Sequence, residues 1–423
     1  MSKSSRRKAR VSKPDVKATA DRNGKSWRVI LLLDVLFIAL LTLLPIPKAA
    51  SAWAVGLLLV WQVVLYLSSS SPLQLEWKFR KPHWVQTALQ LLLYTYWGLY
   101  WDEVARFAPL IVVQLVFAYL FDILLACSRK KTWHGGLGQF PVVLSINLFL
   151  WFQPQQFFCQ FLLISLAYLG KEFVTWTYNG RKKHIFNPSG FALAFVGIVL
   201  LVTRLYNPEI DHSNRAVDIV DSFSLAPNFY EVVFLLSLVV QFLFGTTLVT
   251  LGAAFAICTM YTAGYAIAGT PLFEVALNRS VFLGISLLVT DPSTSPKSAL
   301  GKFLFGLAYG SGIFLTDVAF HFMQQPTQFD KILLVPVVNL LVPWLDRAAA
   351  ISGRWKKFIC LVPAVVAGVV LAAVGWYASA GLVAWGEPSW GRAAVVIARL
   401  ACTIIHGFVG AVAGAVAGAV AGA

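Results

Sequence analysis

An all-α polytopic membrane protein with roughly 12–14 transmembrane helices is the fold class this sequence predicts, on three observations. The 423 residues are 58% hydrophobic and only 13% charged, with a mean hydropathy of +0.72, more apolar surface than a soluble domain of this length buries. Apolar runs of membrane length recur at 29–46, 50–69, 83–100, 104–127, 137–153, 156–175, 188–204, 229–245, 247–268, 273–290, 301–322, 331–345, 357–381 and 394–422. The connecting segments alternate in charge. Lys78, Arg80 and Lys81; Arg129, Lys130 and Lys131; Arg181, Lys182 and Lys183; Lys297 and Lys302; and Arg347, Arg354, Lys356 and Lys357 fall on one side, with Asp102, Glu103, Glu209, Asp211, Asp218, Asp221 and Glu387 on the other. By the positive-inside rule the basic side is cytoplasmic, so both termini are expected there.

Residues 1–28 carry ten Lys/Arg against two Asp, so much of the net charge of +15 sits in one tail. The tail lacks the apolar centre and small-residue cleavage site of a signal peptide. It reads as a basic cytoplasmic arm attracted to anionic lipid, with no nucleic-acid role. The transmembrane core spans 29–347. Beyond it, 348–423 is a two-helix extension whose Gly410, Gly414, Gly418 and Gly422 fall on one helix face, as in small-residue helix packing. Runs 273–290, with Asn278 and Arg279, and 331–345, with Pro336 and Pro343, are expected to be re-entrant or broken. Trp84, Trp97, Trp101, Trp151, Trp176, Trp344 and Trp376 lie near run ends, where an aromatic belt sits. Cys127, Cys159, Cys258, Cys360 and Cys402 show no metal-ligand or cluster spacing, so no metal is expected.

Two polar punctuations open apolar runs: Phe186-Asn187-Pro188-Ser189-Gly190 and Thr290-Asp291-Pro292-Ser293-Thr294-Ser295-Pro296-Lys297. Asn or Asp before Pro reads as an N-cap with Pro at the first helical position, which presents free N–H groups and the positive end of a helix dipole. Such a mouth suits a ligand rich in carbonyl or phosphate oxygens, and equally a plain helix start. The recurrence of Asn/Asp-Pro-Ser hints at an internal repeat.

Lys183-His184-Ile185-Phe186-Asn187-Pro188, Leu288-Val289-Thr290-Asp291-Pro292-Ser293-Thr294-Ser295-Pro296 with Gly301-Lys302-Phe303-Leu304-Phe305-Gly306, and Val338-Asn339-Leu340-Leu341-Val342-Pro343-Trp344-Leu345-Asp346-Arg347 stand in this order over 183–347. This segment resembles the RnfD/NqrB family, the related membrane subunits of the Rnf electron-transport complex and of the sodium-translocating NADH:quinone oxidoreductase. It resembles most a divergent branch associated with enediyne clusters, the UnbU-like proteins. The resemblance implies an all-helical core in a bacterial inner membrane that holds flavin (FMN or riboflavin). It also implies electron transfer with other redox subunits and coupled movement of sodium or protons. Relatives with covalent flavin attach it to a Thr in a Ser-Gly-Ala-Thr-Pro type stretch. Here Asp221-Ser222-Phe223-Ser224-Leu225-Ala226-Pro227 puts Ala226, which has no hydroxyl, at that position, with Ser224 displaced by two. Any flavin is therefore expected to be non-covalent.

A flavin needs an apolar slot, donors at its pyrimidine carbonyls and a positive potential beside them. Asn187, Ser189, Asp291, Ser293, Thr294 and Ser295, with Lys297 as the cation, are the candidate cofactor residues; the alternative is that they cap helices and satisfy their own turns. Intramembrane acids are costly and mark ion pathways. Asp317 and Asp122 are the candidates, with Asp34 a lesser one; for Asp34 and Asp122, pairing with nearby basic loops is the competing reading. Lys171 and Glu172 are expected to snorkel. No dinucleotide fingerprint, Walker pattern or nucleophile–base pair is visible, which argues against a self-contained enzyme. The leading expectation is a membrane subunit of a flavin-linked electron-transfer system, with coupling to sodium or proton translocation as the further step the resemblance implies. The alternative is a permease that keeps the fold without the cofactor.

Overall fold

The structure is a computed structural model that describes residues 16–44, 48–68, 74–129, 131–152, 156–178, 180–203, 229–268, 279–323, 325 and 329–351. Ser224 and Ala226, Asn278 and the glycine repeat at 410–422 lie outside the described residues, as does most of the basic arm. The described chain is 82% helical and includes four helices long and apolar enough to cross a membrane. These features agree with an all-α membrane protein. Helical faces carry Leu43, Val202, Phe242 and Phe322 at 77–81% exposure, as expected of residues that meet lipid tails instead of water.

The chain divides into two compact units, the first built from the helices up to Phe173 and the second from Val174–Thr203 and the chain after Asn228. The first contains α1 (Val16–Leu43), α2 (Lys48–Ser68), β1 (Leu75–Trp77), α3 (Lys81–Tyr100), α4 (Asp102–Ser128), β2 (Trp133–Gly135), α5 (Gln139–Phe149) and α6 (Phe158–Phe173). α4 is its axis. Asp102 and Glu103 in the first turn complement the helix dipole, and 27 residues give a length of about 40 Å. β1 and β2 pair in parallel, with Leu75 opposite Trp133 and Trp77 opposite Gly135.

Runs 137–153 and 156–175 form shorter helices than the runs themselves. α5 is 11 residues, roughly 16 Å, and almost wholly buried. It starts where Gln139 Nε2 reaches Asp122 near the end of α4, at 3.0 Å. α6 finishes at that same end, where Glu172 pairs with Lys131 and with Arg129 at 3.5 Å. The pair thus enters and leaves at one end of α4, and its buried break needs polar partners. Gln160 provides them: its Nε2 donates to Asn147 Oδ1 (2.9 Å) and Leu150 O (3.2 Å), and its Oε1 accepts from Phe152 N (3.4 Å). Gln114 Nε2 donates to the same Asn147 oxygen at 3.0 Å. Trp97 and Trp151 belong to this core and not to a belt, each being 1% exposed, whereas Trp84 and Trp344 are exposed.

The second unit contains β3 (Thr175–Tyr178), β4 (Arg181–His184), α7 (Pro188–Thr203), α8 (Phe229–Phe244), α9 (Thr247–Ala268), α10 (Arg279–Leu283) with a π-helical continuation Gly284–Leu288, α11 (Ala299–Met323) and α12 (Asp330–Ile351). β3 and β4 form an antiparallel hairpin whose turn uses Gly180 at φ +70°, a conformation glycine adopts without strain. α9 and α11 meet backbone to backbone, because Gly306, Gly310 and Gly252 leave no Cβ between them. In the run 273–290, where a re-entrant or broken element is expected, residues 279–288 are one continuous helix that turns π-helical at Gly284, and 273–278 lie outside the described residues; carbonyls of the π segment accept from Gln241 Nε2 (Ser286 O, 3.1 Å) and Thr250 Oγ1 (Ile285 O, 2.8 Å). The break expected at 331–345 is absent. α12 runs continuously through Pro336 and Pro343, with Val335 against Gly190 and Ile332 against Gly197 of α7, so packing overrides the local penalty.

Candidate functional site

The three blocks that carry the resemblance converge at one place in the second unit. Asn187 is the N-cap of α7 as its sequence implies: Oδ1 accepts from Ser189 Oγ at 2.9 Å, and its own carbonyl takes the N–H of Phe191 at 2.8 Å. Its remaining groups reach outward. Nδ2 donates to Leu288 O at 3.0 Å, where the π segment ends, and its backbone N–H donates to Asn339 Oδ1 of α12 at 3.0 Å. Asn339 Nδ2 in turn donates to Thr294 O at 3.3 Å. Asn339 is the bridge that sequence reasoning missed as a site residue, although it stands in the third of those blocks.

Asp291-Pro292 does not open a helix, contrary to the N-cap reading. The Asp291 carboxylate instead closes a turn on itself, accepting from Ser293 N (3.0 Å), Ser293 Oγ (2.6 Å) and Thr294 Oγ1 (2.9 Å), while Ser295 Oγ donates to its carbonyl at 2.6 Å. α11 starts eight residues later, and its cap is Ser298, whose Oγ accepts from Gly301 N at 3.1 Å. Asp346 of α12 completes that start. Its carboxylate accepts from the N–H groups of Lys297 and Ser298 (each 3.0 Å) and from Ser298 Oγ (2.9 Å), a negative charge held at a helix N-terminus.

The β3–β4 hairpin is fastened to this junction twice. Tyr178 Oη donates to Asp346 Oδ2 at 2.7 Å, and His184 Nε2 shares a hydrogen bond with Ser293 Oγ at 3.0 Å. Burial, and then the bond to Asp346, push the Tyr178 phenol up to about 12. A raised phenol stabilises through its neutral form, so the fastening is complete below about pH 10, the ordinary phenol value, and is lost as pH rises through about 12. Tyrosinate absorbance of the chain minus that of Tyr178→Phe is expected to show this group ionising near 12; ionisation near 10 would mean that the fastening is absent.

Of the seven candidate cofactor residues, Asn187, Ser189, Thr294 and Ser295 are buried and committed to the junction, whereas Ser293 and Lys297 are exposed at its rim. Lys297 Nζ donates to Pro292 O at 2.9 Å. The candidate site is therefore a self-satisfied polar joint with a cationic rim.

A second buried cluster lies along α11. Asp317 is 3% exposed and sits about 27 Å along the helix from Ala299. Its Oδ2 accepts from Tyr261 Oη of α9, and its Oδ1 is buried without a hydrogen-bond partner among the described residues. Asp330 and Lys331, at the start of α12, form a buried ion pair at 3.2 Å. Lys331 Nζ also donates to Ser280 Oγ at 2.7 Å, and its carbonyl accepts from Tyr309 Oη at 2.8 Å. Tyr261, Asp330 and Lys331 were not singled out by sequence. Asp330-Lys331 flanking an apolar run was the only local sign.

The other two acids have neutral partners instead of basic loops. Asp122 Oδ2 accepts from Trp133 Nε1 (2.8 Å) and Gln139 Nε2 (3.0 Å), and Asp34 Oδ1 from Gln62 Nε2 (2.9 Å). Glu172, expected to snorkel, pairs with Arg129 and Lys131, and Lys171 lies over the ring of Tyr168 at 5.4 Å. No protein-family model matches the chain, and no curated protein matches it.

Proposed function

We propose that this chain is a multi-pass bacterial inner-membrane subunit of a flavin-linked electron-transfer system, coupled to the movement of sodium ions or protons and working with other redox subunits. In this reading it has 12–14 spans, both termini are cytoplasmic and the Asn/Asp-Pro-Ser recurrence marks an internal repeat. The observation that carries it is the joining of three sequence-distant blocks, through Asn187, Asn339 and the Asp291 turn, into one structure at the end of a lipid-facing bundle. A non-covalent flavin, when bound, supplies one- and two-electron transfer. Ser293 and Lys297 would face its carbonyls or phosphate at the rim, while Asn187, Ser189, Thr294 and Ser295 fix that rim in place. Asp317 belongs to the ion path: Asp317, Asp330 and Lys331 together hold one more acid than base in a buried place, an excess that a bound cation or proton offsets.

Full chain purified from membranes is expected to be yellow, and Asp291→Ala to lose bound flavin more than it loses folded yield, since it frees the turn that positions Ser293. Equal losses in both would reduce Asp291 to a structural turn residue. A permease without the cofactor is the second reading. It is favoured by the internal satisfaction of the Asp291 carboxylate and of the Ser189, Thr294 and Ser295 hydroxyls, and by Ala226 standing where a flavin-bearing Thr would be.

A further inference from the structure

The hairpin end of the second unit includes segments 174–187, 289–302 and 343–351, in which, among the residues whose side chains the structure describes, Lys182, Lys183, Lys297, Lys302 and Arg347 stand with Asp291 and Asp346 as the acids. Both acids are consumed. The Asp291 carboxylate is filled by its own turn, and the Asp346 carboxylate by Tyr178 and the start of α11. The hydrogen bonds leave each carboxylate charged, and five cations against these two acids leave the surface net positive.

The basic groups are paired with aromatic rings at the end of an apolar helix. Arg347 Cζ lies 5.7 Å from the ring centre of Trp344, itself 67% exposed, in the last turns of α12. Lys183 Nζ lies 6.0 Å from the ring centre of Tyr178, and Lys182 beside it in β4 is exposed. Arg347 is close enough to Tyr178 to act on its phenol electrostatically. Exposed Trp beside Arg or Lys, at the end of a helix long and apolar enough to cross a bilayer, sits at headgroup level, where the ring is half in acyl chain and the cation meets phosphate. The double fastening of the hairpin, through Tyr178 and His184, fixes the backbone that carries Lys182 and Lys183 and so lowers the ordering cost of binding.

We propose that the β3–β4 hairpin and the end of α12 form a binding site for the phosphodiester headgroup of an anionic phospholipid, with Lys182, Lys183 and Arg347 as its ligands. The occupant is a membrane lipid because the patch continues directly into the exposed apolar face of α12, where Val337, Leu340 and Trp344 can lie along an acyl chain. This assignment is independent of whether flavin binds.

The test uses full chain in detergent, stripped of lipid, with phosphatidylglycerol or phosphatidylcholine added and binding read by native mass spectrometry and thermal melting. Phosphatidylglycerol is expected to bind more tightly and to raise the melting temperature. Lys182→Gln/Lys183→Gln/Arg347→Gln should lose on the order of a hundredfold of that preference, from about fivefold per basic side chain. Lys78→Gln/Arg80→Gln/Lys81→Gln in the first unit is the charge-matched control and should keep it. An unchanged melting temperature of the triple variant in phosphatidylcholine separates lost binding from lost folding; should that variant fail to fold, the single Lys182→Gln, at an exposed position, is expected to lose about fivefold. Equal response to the two lipids, or full preference in these variants, overturns the assignment. So does an equal shift with soluble glycerol phosphate, which would make it a site for free phosphate. Retention of an acidic protein by the patch with no lipid preference would make it a protein-docking surface, and also overturns it.

Discussion

Asp317→Asn is expected to weaken cation binding roughly tenfold to a hundredfold, the scale of one hydrogen-bonded charged group, and to stop coupled ion movement. The same change is expected to leave the fold intact. Asn keeps an oxygen that accepts from Tyr261, and removing an uncompensated buried charge from an apolar bundle is neutral or stabilising. These opposite directions make the result diagnostic. Ion uptake by reconstituted vesicles and thermal unfolding in detergent read the two effects. Loss of both together would make Asp317 a structural residue, and retention of uptake would remove it from the path.

Gly306→Ala should cause the largest loss of stability of any Gly→Ala change among the described glycines of the second unit. The added Cβ would sit on the carbonyl oxygen of Val249 and 2.9 Å from the N of Ala253, so the obstruction is backbone and no rotamer change relieves it. Overpacking of side chains costs about 1–3 kcal/mol, and a backbone obstruction lies at or above the top of that range. Separating α9 from α11 also pulls Thr250 from Ile285 O, which leaves a carbonyl of the π segment unsatisfied in the bundle. Unfolding of the variant in detergent should show at least about 3 kcal/mol of destabilisation. A loss under about 1 kcal/mol would mean that the two helices do not touch at this depth.

What could be read from the sequence was local. Apolar runs gave most of the helices, and Asn187-Pro188 gave a true N-cap because the capping bonds lie within four residues. Asp291-Pro292 carried the same local signal and misled. The acceptor that completes the start of α11 is Asp346, 48 residues from Ser298 in sequence, and this frees the Asp291 carboxylate to close its own turn. The buried break between α5 and α6 was hidden for a similar reason: Asn147 and Gln160 look like isolated polar residues in apolar runs until Gln114 of α4 shows them to be one buried amide cluster. Pro336 and Pro343 predicted a break that packing of α12 against Gly190 and Gly197 overrode. Asp317 was legible as a costly acid. Its partner Tyr261, 56 residues away, was not.

Coupling between electron flow and ion movement is the central claim. The direct measurement is cation uptake into vesicles that hold the full chain with its partner subunits, started by adding an electron donor and a quinone. Uptake is expected to begin with flavin reduction, to stop when the donor is exhausted and to be absent from Asp317→Asn. Uptake by a colourless protein that runs down a gradient with no donor present would contradict the coupling and identify a permease.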